Sequence, residues 1–298
     1  MVNENKGLDA QLNEAEILAQ KILARKPDNL DALNGLGLIL MQRQRFGEAL
    51  EQFKRALKVG FDCKDTRDNF VRSLVLFAEE SWETGAYDNA ASALRSGISS
   101  LPERWELHCH LSFVLSESGK HDEALIVSDQ ALSLNNENPH PHDVKGLALL
   151  GLGRPKDALK SFQCAITIDP KFVTALVNMS KALLELNMNE AAKKHLEHVL
   201  KQNPNNAQAL NNMGLALAGK AMYPEAEQNL RAALVAAPNF SEAHFNLSRV
   251  LLMQGFYEEG WRENEWRWEC RDFPSTWRDF PYPRWRGETL KGKTILVW

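Results

Sequence analysis

The chain of 298 residues carries 35 Lys+Arg against 39 Asp+Glu, a net charge of -4, and is 44% hydrophobic and 25% charged. That balance is the balance of a soluble globular protein: it excludes a disordered or membrane-embedded chain, and the acidic net charge gives no basis for nucleic-acid binding. Cys63, Cys109, Cys164 and Cys270 are widely spaced with no C-x-x-C pair, so neither a zinc site nor a disulfide framework is expected and a reducing, cytoplasmic location is.

The N-terminal MVNENKGLDAQLNEAE lacks a basic start followed by an apolar run, which argues against a signal peptide. No window approaches the ~20 apolar residues of a membrane span. Residues 1–29 form an N-terminal segment with half a repeat, a single helix over Leu12–Lys26 that Pro27 ends. From residue 30 one unit of 34 residues recurs seven times: 30–63, 71–104, 105–138, 139–172, 173–206, 207–240 and 241–274. A fixed period of this length marks stacked supersecondary units. Position 8 of the units reads Gly37, Ala78, Ser112, Gly146, Ser180, Gly214 and Ser248; position 20 reads Ala49, Ala90, Ala124, Ala158, Ala192, Ala226 and Gly260. Small residues at both places are what two antiparallel helices need where they cross closely. Gly85, Gly119, Gly153 and Gly255 at position 15 are suited to a left-handed residue ending the first helix, and Pro102, Pro170, Pro204 and Pro238 at position 32 stop the second.

This pattern resembles the tetratricopeptide repeat family over residues 8 to about 270. The resemblance implies an all-α fold, a right-handed superhelix (α-solenoid) of helix-turn-helix repeats. The seven residues Lys64–Phe70 intervene between two units; they amount to about two helical turns and are expected to lengthen a helix without rotating its buried face.

At position 6, which this family places on the concave groove, Asn178, Asn212 and Asn246 recur in three successive units, while earlier units carry His110 and Val144. A primary amide donates and accepts, so such a row can grip the backbone of an extended peptide without reading its side chains. The row is similar to the asparagine ladder in the repeat domain of O-linked N-acetylglucosamine transferases, which holds acceptor polypeptides. The competing reading is that each asparagine bonds a neighbouring helix. Lys181 and Arg249, at position 9, are expected on the same groove and favour an acidic or carboxylate-bearing ligand; the residue set of carboxylate-clamp repeat domains is not reproduced.

Other polar residues resolve into repeat positions. His108, His142 and His244 share position 4, where packing explains them, and His195 with His198 lacks a completing ligand. Gly35 with Gly37 and Gly151 with Gly153 neither follow a strand nor precede a Lys-Ser pair, so they are not phosphate loops. No catalytic residues, cofactor or metal are expected in this chain.

From Trp261 the composition shifts: the last 38 residues hold six of the eight tryptophans, with eight Lys+Arg against six Asp+Glu. Trp261 and Trp268 stand seven apart, on one face of an expected second helix of the last unit. Trp261, Trp266, Trp268 and Trp285 are contact residues, packing either against the segment that follows or over the end of the repeat itself. Residues 275–298 read as a linker and then the start of an α/β domain, with Thr294–Trp298 a strand-like segment. Trp285, Gly287, Leu290, Gly292 and Lys293 resemble the junction in bacterial repeat proteins that carry a heptosyltransferase-like glycosyltransferase domain. That resemblance implies a parent enzyme transferring a sugar from a nucleotide-sugar donor, its catalytic half beyond Trp298. The expected function is a scaffold whose groove binds an extended polypeptide, recruiting the acceptor of such an enzyme. A free-standing adaptor for complex assembly, or a spacer with an empty groove, are the alternatives.

Overall fold

The computed structural model describes residues 2–61, 63–270, 273, 289, 291 and 292, with side chains from residue 9 onward. They contain fifteen α-helices and one 3-10 helix, and no strand. The chain forms two compact units, Met1–Val199 and Leu200–Trp298. The first begins with α1 (Val2–Arg25), followed by α2 (Leu30–Gln42), α3 (Phe46–Val59), α4 (Lys64–Glu83), α5 (Tyr87–Ser100) and α6 (Trp105–Glu117). It continues with α7 (His121–Leu134), α8 (Pro139–Gly151), α9 (Pro155–Ile168), α10 (Val173–Glu185) and most of α11 (Asn189–Gln202). The second contains α12 (Ala207–Ala218), α13 (Tyr223–Ala236), α14 (Ser241–Met253), α15 (Tyr257–Glu263) and the 3-10 turn Asn264–Trp268.

Local chemistry sets the helix ends. Asn29, Asn138 and Asn206 accept a hydrogen bond from the first-turn amides of Ala32, His140 and Ala209, satisfying donors that a helix start leaves without a partner. First helices end at position 15 in the left-handed conformation, at Gly85, Gly119, Gly153 and Gly255. Gln44, Asn187 and Ala221 take the same conformation at that position with φ of 58°. The amide that follows bonds back to a carbonyl five residues earlier, Ala86 to Ser81 at 2.7 Å and Met188 to Leu183 at 2.8 Å, so the geometry holds even without glycine.

Between the two helices of a repeat, the alanines at position 20 are fully buried, and Ser112 Oγ donates to the Ala124 carbonyl at 2.9 Å. In two units the phenylalanine at position 24 leaves room only for glycine at position 8. A Cβ on Gly37 would stand 2.6 Å from the Phe53 ring, and one on Gly146 would stand 2.3 Å from Phe162. Leu94 and Leu196 at position 24 pair with Ala78 and Ser180 at position 8 instead. At Gly37 and Gly146 the added volume of the aromatic ring replaces the missing methyl, whereas Gly214 faces Leu230, 2.6 Å from where a Cβ would stand.

Two elements differ from expectation. Helix α1 starts ten residues before Leu12 and ends one before Lys26. The second helix of the last repeat stops at Glu263 and tightens into the 3-10 turn, so Trp261 and Trp268 do not share one α-helical face. Arg267 stands at position 27, where five other units put alanine or glycine and one puts Val199, and Trp266 stacks on His244 at 4.1 Å instead of continuing the helix. By contrast, α4 does begin at Lys64 and runs for 20 residues, against 13 for α2 and α6. The strand-like segment Thr294–Trp298 lies outside the described residues.

In the first unit, the first helices touch along the array, α2 with α4, α4 with α6, α6 with α8 and α8 with α10, whereas α3, α5, α7 and α9 do not touch one another. Closer spacing on one side makes the first helices the inner face of that unit.

Candidate functional site

Positions 5 and 6 of the first helices interlock on a diagonal. In the first unit, Asn178 Nδ2 donates to Asp143 Oδ1 at 3.0 Å. In the second, Asn246 Nδ2 donates to Asn211 Oδ1 at 2.9 Å, and Asn211 Nδ2 to Asn212 Oδ1 at 3.3 Å. The Asn178–Asp143 and Asn246–Asn211 pairs each span 35 residues, one more than the period, because position 6 reaches to position 5 of the preceding repeat. The amides of Asn178 and Asn246 are thus fixed by neighbouring helices. No protein donor reaches Oδ1 of Asn178 or Asn246 among the described residues, and both side chains are half-buried, so each keeps an acceptor for an incoming N–H.

Asp143 is the residue that sequence reasoning missed. It is 4% exposed, and burial pushes its carboxyl up to about 7, opposed by the bond from Asn178. An offset of 35 instead of 34 would have found it. Next to it lies Cys109, whose thiol burial pushes up, while the His110 imidazolium is disfavoured by burial and then by His140. Burial also lowers His140, whose ring stands edge-on to Phe172 at 4.7 Å. Lys181 and Arg249 are exposed and make no ion pair among the described residues.

The predicted aromatic contacts separate. Trp261 is 60% exposed. Trp266 lies parallel to the His244 ring, whose Nδ1 meets the Glu263 carboxylate and whose Nε2 meets the Pro238 carbonyl at 2.9 Å. Trp268 packs edge-on to Phe273 at 5.4 Å, with the Arg267 guanidinium over its ring at 4.4 Å. Trp266 and Trp268 therefore cover their own repeat. Trp285 lies outside the described residues.

Among the described residues, no three His, Cys, Asp or Glu side chains are grouped to hold a metal ion, and no helix is long and apolar enough to cross a membrane. The arrangement offers hydrogen bonds and charges along stacked helices.

Tetratricopeptide repeat models match residues 149–213 and, in a second form, residues 10–62 and 212–260. This chain is a tetratricopeptide repeat protein. One curated relative is the DnaJ homolog subfamily C member 7 homolog of Schizosaccharomyces pombe, 25% identical over 185 residues. The match takes in 59% of this chain and spans 39% of that relative's length. Among solved structures, a chain of the APC/C hetero-tetramer Cut9-Hcn1 aligns with a TM-score of 0.60 at 18% identity, over 82% of this chain and 47% of that one. A tetratricopeptide repeat protein from Parabacteroides merdae aligns with the same TM-score at 16% identity, over 83% of this chain and 95% of that one. At these identities the likeness is one of fold.

Proposed function

We propose that the first helices within each compact unit of this tetratricopeptide repeat protein bind an extended polypeptide through its backbone. The observation that carries this reading is the fixing of Asn178 and Asn246 by Nδ2 bonds to the preceding repeat, which leaves each Oδ1 as a preset acceptor. Acceptors held in place lose little side-chain entropy when a ligand arrives. Lys181 and Arg249 add unpaired positive charge one helical turn along, which favours an acidic segment. The test is a randomised dodecapeptide library selected on the full chain: Asn178→Ala, Asn212→Ala and Asn246→Ala together are expected to weaken selected peptides at least tenfold, with helicity unchanged by circular dichroism.

The finer reading makes this polypeptide the acceptor of a glycosyltransferase carried on the same parent chain. It is supported by the sequence resemblance at Trp285, Gly287, Leu290, Gly292 and Lys293. Reading the coding frame past Trp298 tests it: a glycine-rich loop with further α/β units is the expected result, and an immediate stop codon leaves the free-standing adaptor in its place.

A further inference from the structure

At position 5, Asn211 and Asp143 receive the same bond from the asparagine one repeat on, but they differ in what the other branch does. In the second unit, Asn211 Oδ1 accepts from Asn246 and its Nδ2 donates to Asn212 Oδ1, so oxygen and nitrogen are both used within the protein. In the first unit, Asp143 Oδ1 accepts from Asn178 at 3.0 Å, and the next residue is Val144, whose side chain offers no acceptor. Asp143 Oδ2 is left with no hydrogen-bond partner among the described residues, although the residue is only 4% exposed. That oxygen is not fully enclosed, so the exposure that remains reaches it. A protonated carboxyl would reproduce Asn211, one oxygen accepting and the other branch donating, whereas an ionised one has acceptors alone.

No cation offsets a charge at this place. Burial raises the Asp143 carboxyl and only the Asn178 bond opposes it. Of the helices packed on α8, α6 contributes Cys109, Glu106 and His110, none of which pairs with Asp143. Along α8 itself, His140 stands one turn earlier, His142 turns to the Asn136 carbonyl and Lys145 is committed to Asp129 of α7 at 2.7 Å. The buried residues of α9 include no titratable side chain, and on α10 the charged Lys181 is exposed. Burial, with His140 beside it, pushes His110 down, and burial pushes His140 down, so both imidazoles are neutral above the ordinary histidine value of about 6.5.

An extended peptide turns the N–H and the C=O of every second residue to the same edge, so gripping one residue there takes an acceptor and a donor side by side. Asn178 Oδ1 is the acceptor. We propose that Asp143 supplies the donor: its Oδ2–H bonds the carbonyl of the residue whose N–H is held by Asn178 Oδ1, so polypeptide binding in the first unit requires a proton on Asp143. This rests on the backbone-binding reading above and adds a proton dependence to it. A covering ligand displaces the remaining water from Oδ2, which disfavours the charged form further, and an ionised Asp143 would set two acceptors against a peptide edge that offers one donor.

The test selects the randomised dodecapeptide library on the full chain at pH 6, then titrates a selected peptide, capped at both ends and free of His and Cys, calorimetrically at pH 6 and pH 8. A required proton on a carboxyl with a midpoint of about 7 weakens binding about tenfold over that interval. Asp143→Asn is expected to bind equally at both pH values, with the affinity that the unaltered chain has at pH 6, because its Nδ2 donates at either pH. An affinity of the unaltered chain that does not change with pH, a tenfold loss that persists in Asp143→Asn, or weaker binding to that variant at both pH values overturns the role of Asp143 and leaves the asparagine face standing. A library that yields no binder, or equal affinity of the unaltered chain and the Asn178→Ala, Asn212→Ala, Asn246→Ala variant at pH 6, overturns both.

Discussion

Asp143 is a buried carboxyl whose native state favours the proton. A carboxyl raised by folding destabilises the fold where it must ionise, so the penalty is absent below its unfolded pKa of about 4, grows as pH rises and is complete above its folded value of about 7. Asn211 shows the substitute that the same geometry accepts: at the matching position it receives the bond from Asn246. Asp143→Asn is therefore expected to leave stability near pH 4 almost unchanged and to raise it by about 2 kcal/mol at pH 8, read from urea denaturation at the two pH values. At this scale the sequence was less informative, because a row counted at a period of 34 hides a bond that runs diagonally from position 6 to position 5.

At the scale of the helix pair, position 8 and position 24 share one volume. Gly146→Ala places a methyl 2.3 Å from the Phe162 ring, and the expected cost is about 1–3 kcal/mol. Adding Phe162→Leu recreates the Ala78 and Leu94 combination and is expected to recover most of that loss, measured by chemical denaturation of the single and double variants. The helix pairs were legible in the sequence because packing repeats: position 20 is buried in unit after unit, and position 15 turns left-handed even at Gln44, Asn187 and Ala221. The last pair was less so. Trp261 and Trp268 fit one face only if the helix continues, and the stacking of Trp266 on His244 accompanies its tightening into a 3-10 turn.

For the molecule, the 34-residue repeat supplies stacked helices and no reaction centre is expected among them; function follows from which groups the first helices present. The asparagines serve both readings that their sequence left open. At Asn178 and Asn246 the nitrogen holds the neighbouring repeat and the oxygen is available to a ligand, so an alanine replacement there removes one hydrogen bond within the fold and one acceptor for the partner, whereas Asn212 is buried and its Oδ1 receives the Asn211 amide. Because Asn178 and Asn246 are only half-buried, the loss within the fold is expected to be modest, on the order of 1 kcal/mol per bond. The most direct measurement is calorimetric titration of a library-selected dodecapeptide into the full chain and into the Asn178→Ala, Asn212→Ala, Asn246→Ala variant, with helicity followed in parallel. At least a tenfold loss of affinity at unchanged helicity is the predicted result; equal affinity for the two proteins would contradict a backbone-gripping face and return the three asparagines to holding helices together.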